Sequence, residues 1–252
     1  MSNLYWLTEA QMERLRPYFP KSRGRARVDD RRVLSGIIFI NRNGLRWCDA
    51  PTEYGPPKTL YNRWKRWSDM GVFARIMMGL AEQAPDNTTI SIDATHLKAH
   101  RTASSLGVEK GGRGRLIGLT KGGMNTKLHA VTDTIGRPVR LFITAGQVSD
   151  YTGAAALMND LPKADWLLAD RGYDADWFRE TLVDKGTKAC IPGRKSRITT
   201  IKYDKRRYKR RNRIERMFGR LKDWRRVSTR YDRCPKVFLS AIALAATVIF
   251  WL

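Results

Sequence analysis

Cysteine is scarce in this chain of 252 residues. Cys48, Cys190 and Cys234 are odd in number, far apart and without a C-x-x-C pair. That argues against a disulfide framework and a thiolate zinc site, and it predicts reduced, buried thiols in a cytoplasm. Histidine is equally scarce. His96 and His100 have the i, i+4 spacing of a zinc pair on a helix, but His96 falls at the end of a predicted strand. No third ligand pattern follows, and His129 stands apart, so no zinc site is expected. The one long apolar run, Val237 to Leu252, carries Ser240 and Thr247. It falls short of the roughly 18–20 residues that span a bilayer, so a buried helix and no membrane partner are expected. Met1 to Leu15 lacks the apolar stretch of a signal peptide, and no internal repeat is present. Negative charge is also in short supply: 24 acidic residues face 48 Lys and Arg, a formal charge of +24. Solubility asks for a net charge of only about 2–8, so the excess points to a polyanion.

What is present divides in two. Residues 1–84 read as helical. Thr8 and Gln11 have the spacing of a capping box behind Leu7. A helix is predicted over Asp30 to Ile40, stopping near Asn43-Gly44. Thr52 to Pro57 is a loop. A third helix, from Lys58 or Thr59, carries Leu60, Trp64 and Trp67 at helical spacing, and a fourth follows Gly71 with Phe73, Ile76, Met77 and Leu80 on one side. Arg63, Lys65 and Arg66 lie off the apolar stripe of the third helix. Short helices with one basic member suit a helix-turn-helix DNA reader, and equally a bundle with a solvated basic face. Tyr5, Trp6 and Trp47 are placed to stack on bases or to pack in the core.

Residues 85–252 change period. Thr88 to Leu97 alternates as a strand. After a basic Gly107 to Gly123 loop, strands are predicted at Thr126–Thr132 and Val139–Ala145, joined by a hairpin at Thr134–Pro138. A helix from Asp150 or Tyr151 to Leu161, a strand at Trp166–Ala169, a helix capped by Asp174 and ending before Gly186, and a strand at Thr187–Ile191 follow. A basic loop, Arg194 to Arg207, leads to a long helix over Lys205 to Arg226. The fold class expected is α/β: a ribonuclease-H-like domain, with a mixed sheet flanked by helices, behind a small helical DNA-binding domain. The two basic loops are expected to face DNA phosphates, which give affinity without sequence information.

The predicted helix around Glu215 carries the most specific pattern. Tyr208, Arg211, Glu215 and Lys222 lie at helical offsets that, at about 100° per residue, fall on one face. Ile214, Met217, Phe218 and Leu221 form the neighbouring apolar stripe. A phenol, a guanidinium, a carboxylate and an ammonium therefore line the edge of a buried face. That set suits a carboxylate that binds metal while cations grip phosphates. The spacing Y-x2-R-x3-E-x6-K resembles the signature of bacterial DDE transposases of the insertion-sequence-4 and insertion-sequence-5 families. Ile92-Asp93-Ala94-Thr95, Leu168 through Asp174, Gly122 through His129 and Gly44-Leu45-Arg46-Trp47 through Trp67 also resemble that group. The likeness is greatest to the insertion-sequence-5 family.

The resemblance implies Asp93, Asp170 and Glu215 as a catalytic, metal-holding triad, and Tyr208, Arg211 and Lys222 as residues touching DNA near the cut. Arg63, Lys65 and Arg66 are the further DNA-contact candidates. Cutting a phosphodiester needs an activated in-line nucleophile and a stabilised leaving oxygen, which two ions roughly 3.5–4 Å apart can supply. Hard oxygen ligands suit Mg²⁺ or Mn²⁺. Asp93 is expected to bridge both ions, with Asp170 and Glu215 holding one each. Water would open the bond, and the freed 3′ hydroxyl would attack target DNA. Double-stranded DNA, both terminal inverted repeats and target, is the expected partner, and two ends imply at least a homodimer. The readings left open are a nuclease of the same fold without strand transfer, and a non-catalytic DNA-binding derivative.

Overall fold

The computed structural model describes residues 4–21, 29–83, 87–104 and 113–252. They form two compact units: Met1–Leu80 with His100–Ser105 and Leu221–Leu252, and Ala81–Ala99 with Leu106–Arg220.

The first unit is helical. The Thr8–Gln11 capping box forms as the spacing predicts and starts the helix Glu9–Leu15. The Asp29 carboxylate accepts from the Arg31 and Arg32 amides at the head of Asp30–Asn43, covering amides that have no partner within the helix. That helix stops at Gly44, whose φ of 71° is left-handed, a region that favours glycine. Pro57 opens the helix Pro57–Asp69; its missing N–H costs nothing in a first turn. Trp64 and Trp67 are buried and meet Phe73, with ring centroids 5.0 and 6.3 Å away. The apolar run near the C-terminus forms the helix Pro235–Phe250, with Phe238, Ala241, Ile242 and Ala245 fully buried. It packs on the helices 30–43 and 57–69. Among the described residues, no helix is long and apolar enough to cross a membrane. Cys48 corrects the expectation of buried thiols: it is exposed, because it sits in the short surface turn Trp47–Asp49. Cys190 is buried as expected.

The second unit is built on a mixed sheet. Its strands are β1 (Thr89–Ala99), β2 (Gly118–Thr120), β3 (Gly123–Thr132), β4 (Pro138–Ala145), β5 (Trp166–Leu168) and β6 (Lys188–Cys190). β3 runs antiparallel to β1 and β4 antiparallel to β3, while β2 pairs with the first residues of β3. β5 is parallel to β1, and β6 is parallel to β5. β1 is therefore central, with an antiparallel neighbour on one side and a parallel one on the other. This is the ribonuclease-H-like arrangement the element order predicts. β2 was not expected, and residues 107–112 of the predicted basic loop lie outside the described residues.

Two local expectations change. Asp174 does not cap the following helix: Asp176–Asp184 begins at Ala175 without a side-chain cap, and the Asp174 carboxylate is fully buried instead. The helix expected over Lys205–Arg226 is broken into Lys205–Tyr208, a 3-10 turn Lys209–Arg211, the helix Asn212–Lys222 and a last turn Arg225–Ser228. Cations crowd Lys205 to Arg211 at i, i+4 spacing, which destabilises a continuous helix, and Asn212 favours a helix end over an interior.

Candidate active site

Register brings two carboxylates together. β5 pairs with β1 only over Thr89–Ser91, the last pair being Ser91 with Leu168. Asp93 and Asp170 each stand two residues beyond that pair, on neighbouring parallel strands at the point where pairing stops. Thr89 to Ile92 are buried, and exposure begins at Asp93, where the end of β5 opens the sheet and leaves the carboxylate partly exposed. Its Oδ1 accepts from the Ala94 amide at 2.8 Å, and its Oδ2 from Arg211 Nη1 at 2.7 Å. Burial pushes Asp93 up to about 6, against the lowering influence of the Ala94 amide and Arg211, and nearby Asp170 adds to the rise. Asp170 turns its Oδ1 to the Gly172 amide at 2.7 Å, capping the turn Arg171–Tyr173. A Cβ on residue 172 would lie 2.8 Å from that oxygen, so the close approach needs glycine.

Glu215 enters from the first turn of Asn212–Lys222, whose Ile214, Met217, Phe218 and Leu221 are buried as the apolar stripe predicts. Arg211 Nη2 donates to Glu215 Oε1 at 2.5 Å. One guanidinium thus joins Asp93 and Glu215. The Tyr208 ring lies 5.9 Å from the Arg211 carbon, so the two remain neighbours across the helix break. Burial raises the Tyr208 phenol. Lys222 is the last residue of the helix and belongs to the first unit; burial lowers its ammonium.

The three basic residues of Pro57–Asp69 differ. Arg63 donates to Asp30 at 3.2 Å and covers the Trp67 ring. Lys65 pairs with Asp69 at 2.5 Å, and Arg66 is exposed. The basic loop is also divided. Arg197 is committed to Asp174 and Asp176, and Arg194 donates to the Arg171 and Gly172 carbonyls. Arg207 lies over the Trp166 ring at 4.3 Å, whereas Lys205, Arg206, Lys209 and Arg210 are exposed.

Sequence reasoning missed Tyr173, although it stands inside the quoted Asp170–Asp174 motif. Its ring is buried and its hydroxyl has no hydrogen-bond partner among the described residues. Burial raises the phenol strongly, and Asp150, Asp93 and Asp170 add to the rise. A buried polar row also went unseen: Lys127 Nζ donates to Asp150 at 2.8 Å, and His129 stacks on Phe142. Burial takes His129 down to about 4. Only the packing of β3 against the helix Asp150–Leu157 reveals it. An open cleft of about 590 Å³, lined by Tyr151, Trp177, Asp174, Asp176 and Arg197, lies in the same unit. Neither Asp93 nor Glu215 lines it, and the charge of Arg197 is already matched there by Asp174 and Asp176.

The sheet order and the three carboxylates meet known proteins at this point. Residues 84–250 match the family described as "Transposase DDE domain". The chain belongs to the DDE transposases. Residues 7–77 of this transposase match a second family, "Putative transposase of IS4/5 family". A Brucella ovis protein, "Putative transposase for insertion sequence element IS6501", is 37% identical over 131 residues, covering 51% of this chain and 99% of that one. A Burkholderia cepacia protein, "Putative transposase for insertion sequence element IS402", is 28% identical over 137 residues, covering 50% of this chain and 63% of that one. Among solved structures, piggyBac transposase in a synaptic complex with hairpin DNA aligns with 97% of this chain and 72% of that one. Its TM-score is 0.50 and the identity 9%, a likeness of fold.

DDE transposases as a family use divalent metal ions. Among the described residues, no group of three or more His, Cys, Asp or Glu is drawn together as a finished metal site. The donor set nevertheless fits a hard cation. All three groups are carboxylates, Asp93 is largely buried, and a positive group already lies between Asp93 and Glu215.

Proposed function

We propose that this DDE transposase binds the ends of an insertion sequence, hydrolyses a phosphodiester to free a 3′ hydroxyl, and joins that hydroxyl to target DNA. The observation that carries the proposal is the bonding of one guanidinium, Arg211, to both Asp93 and Glu215, with Asp170 at the strand end beside Asp93. Asp93, Asp170 and Glu215 would together hold the Mg²⁺ or Mn²⁺ ions. When bound, such ions supply charge for activating the attacking oxygen and stabilising the leaving one.

The chain's own residues supply the rest. The β1 backbone fixes Asp93, because its Oδ1 is tied to the next amide. The Gly172 amide fixes Asp170. Buried Ile214 and Phe218 seat the Glu215 turn. Arg211, flanked by the Tyr208 phenol, would supply a cation for the phosphates beside the cut, and Lys222 is the second candidate for that role. Residues 1–84 are assigned as the DNA-binding domain and 85–252 as the catalytic domain. Exposed Arg66 would contact phosphate, with Lys65 joining it on leaving Asp69, while Arg63 holds the helix in position through Asp30. Two element ends require at least a dimer in the DNA complex.

The test is a joining assay with purified protein, Mg²⁺ and a duplex ending in the element's terminal repeat. A 3′ hydroxyl followed by joined product is expected from the wild type. Asp93→Ala, Asp170→Ala and Glu215→Ala should bind the duplex without cutting it. Nicking without joined product would leave a nuclease of the same fold, and wild-type cutting in any of the three variants would overturn the triad.

A further inference from the structure

The Arg211 guanidinium occupies ground that a metal ion would need. Its Nη1 donates to Asp93 Oδ2 at 2.7 Å and its Nη2 to Glu215 Oε1 at 2.5 Å. Two oxygens from two of the three assigned ligands are therefore engaged by one cation. The Asp93 and Arg211 side chains are only 15% and 17% exposed, so this is no solvent-screened surface pair. Asp93 and Asp170 stand side by side at the strand ends, and without a cation between them and Glu215 the carboxylates would repel one another at low dielectric. Arginine does not lose its proton in proteins. The guanidinium therefore cannot yield its place by becoming neutral; it can only move. Arg211 closes the 3-10 turn Lys209–Arg211, between two helices.

We propose that Arg211 is a built-in placeholder for the divalent cation: it holds Asp93 and Glu215 together in the free protein and is displaced when an ion binds. This rests on the reading of Asp93, Asp170 and Glu215 as the metal-holding set. It assigns Arg211 an order of events. The guanidinium is occupied before metal arrives and free afterwards, when its planar fork matches a phosphate. Metal binding and the availability of a phosphate-gripping arginine are then one equilibrium, and linkage makes the dependence reciprocal.

The experiment measures Mn²⁺ binding to the full chain without DNA, by calorimetry and by paramagnetic resonance of the unbound ion, alongside thermal unfolding with and without Mn²⁺. Arg211→Gln removes the competitor. It should unfold earlier than wild type without metal and bind Mn²⁺ about tenfold more tightly, the weight of roughly one charge-assisted hydrogen bond. Arg216→Gln removes the same charge from an exposed neighbour of Glu215 and should change affinity by less than about threefold, a surface-charge effect. Arg211→Lys, which keeps the charge but loses the fork, should fall between wild type and Arg211→Gln, and it serves if the glutamine variant does not fold. Equal Mn²⁺ affinity in wild type, Arg211→Gln and Arg211→Lys overturns the placeholder and leaves the metal site standing. So does an equal gain in Arg216→Gln. Folded wild type and Arg211 variants that all fail to bind Mn²⁺ overturn the metal reading itself, and the placeholder with it.

Discussion

Asp174 and Arg197 form a largely buried ion pair beside the candidate site: Arg197 Nε donates to Asp174 Oδ2 at 2.6 Å, and the carboxylate has no exposure at all. The same carboxylate accepts from Arg179 Nε at 2.8 Å and from the Arg194 amide at 2.7 Å. Burial alone would raise Asp174, but the bonds from Arg197, the Arg194 amide and Arg179 hold it at about 2. The loop after β6 is thereby clipped to the turn that follows Asp170.

Asp174→Ala should therefore destabilise the protein by about 3–5 kcal/mol, because it strands two partly buried guanidinium groups. Urea unfolding measures this, and limited proteolysis should show new cleavage between residues 193 and 204. Cleavage unchanged from wild type would dissociate Asp174 from the order of that loop.

The pH dependence of stability should contain two opposed parts. His129 is held at about 4, below its ordinary 6.5. The unfolded chain binds the extra proton first, so this contribution is complete above about 6.5 and is lost as pH falls toward 4. Asp93 is raised from 3.8 to about 6. The folded chain keeps that proton longer, so stability falls as pH rises through the same interval. The two partly cancel in the wild type. His129→Gln should leave a curve that declines from pH 4 to 6, and Asp93→Asn one that climbs. Urea midpoints across that range decide, and parallel curves for both variants would count against both shifts.

Gly153 lets the helix Asp150–Leu157 approach the sheet, since a Cβ there would meet the His129 ring at 2.2 Å. Gly153→Ala should cost about 1–3 kcal/mol by overpacking and shift the His129 ring resonances. An unchanged melting temperature would show that the ring gives way freely.

Salt dependence of duplex binding should separate the two kinds of arginine in the basic loop and the turn Lys209–Arg211 that follows it. Arg206→Ala with Arg210→Ala should lower the slope of log affinity against log salt by about 0.9 for every phosphate that is no longer neutralised. Arg197→Ala should chiefly lower stability. Equal slopes in all three proteins would show that the exposed arginines do not touch phosphate.

The fold was legible where periodicity and chain order decide it. Alternation marked β1, the hairpin turn at Thr134–Pro138 marked β3 and β4, and the strand–helix–strand order placed β5 and β6. The site was legible through one helix face, because Ile214, Met217, Phe218 and Leu221 fix which way Glu215 points. Arg211 was readable as a neighbour of Glu215 but not as a bridge to Asp93, which depends on where a strand 118 residues away meets the helix. The helix break escaped notice because summed propensity ignores like-charge crowding. Asp174 looked like a cap because Asp before a helix usually is one; its burial is set by Arg179 and Arg197, whose approach no local pattern encodes. Lys127 and His129 read as ordinary strand residues until Asp150 and Phe142 close over them.

The helix Pro235–Phe250 carries a consequence for how the chain is made. It fills the interior of a unit whose long helices 30–43 and 57–69, on which it packs, lie within the first 80 residues. A ribosome therefore delivers the opening helices long before their packing partner, and releases the whole sheet unit, residues 81–99 and 106–220, in between. During translation the apolar faces around Leu60, Trp64 and Ile37 wait uncovered while the sheet can already fold. The nascent protein matures from its middle outward, and a chain halted before residue 235 presents an unfinished first unit to chaperones and proteases.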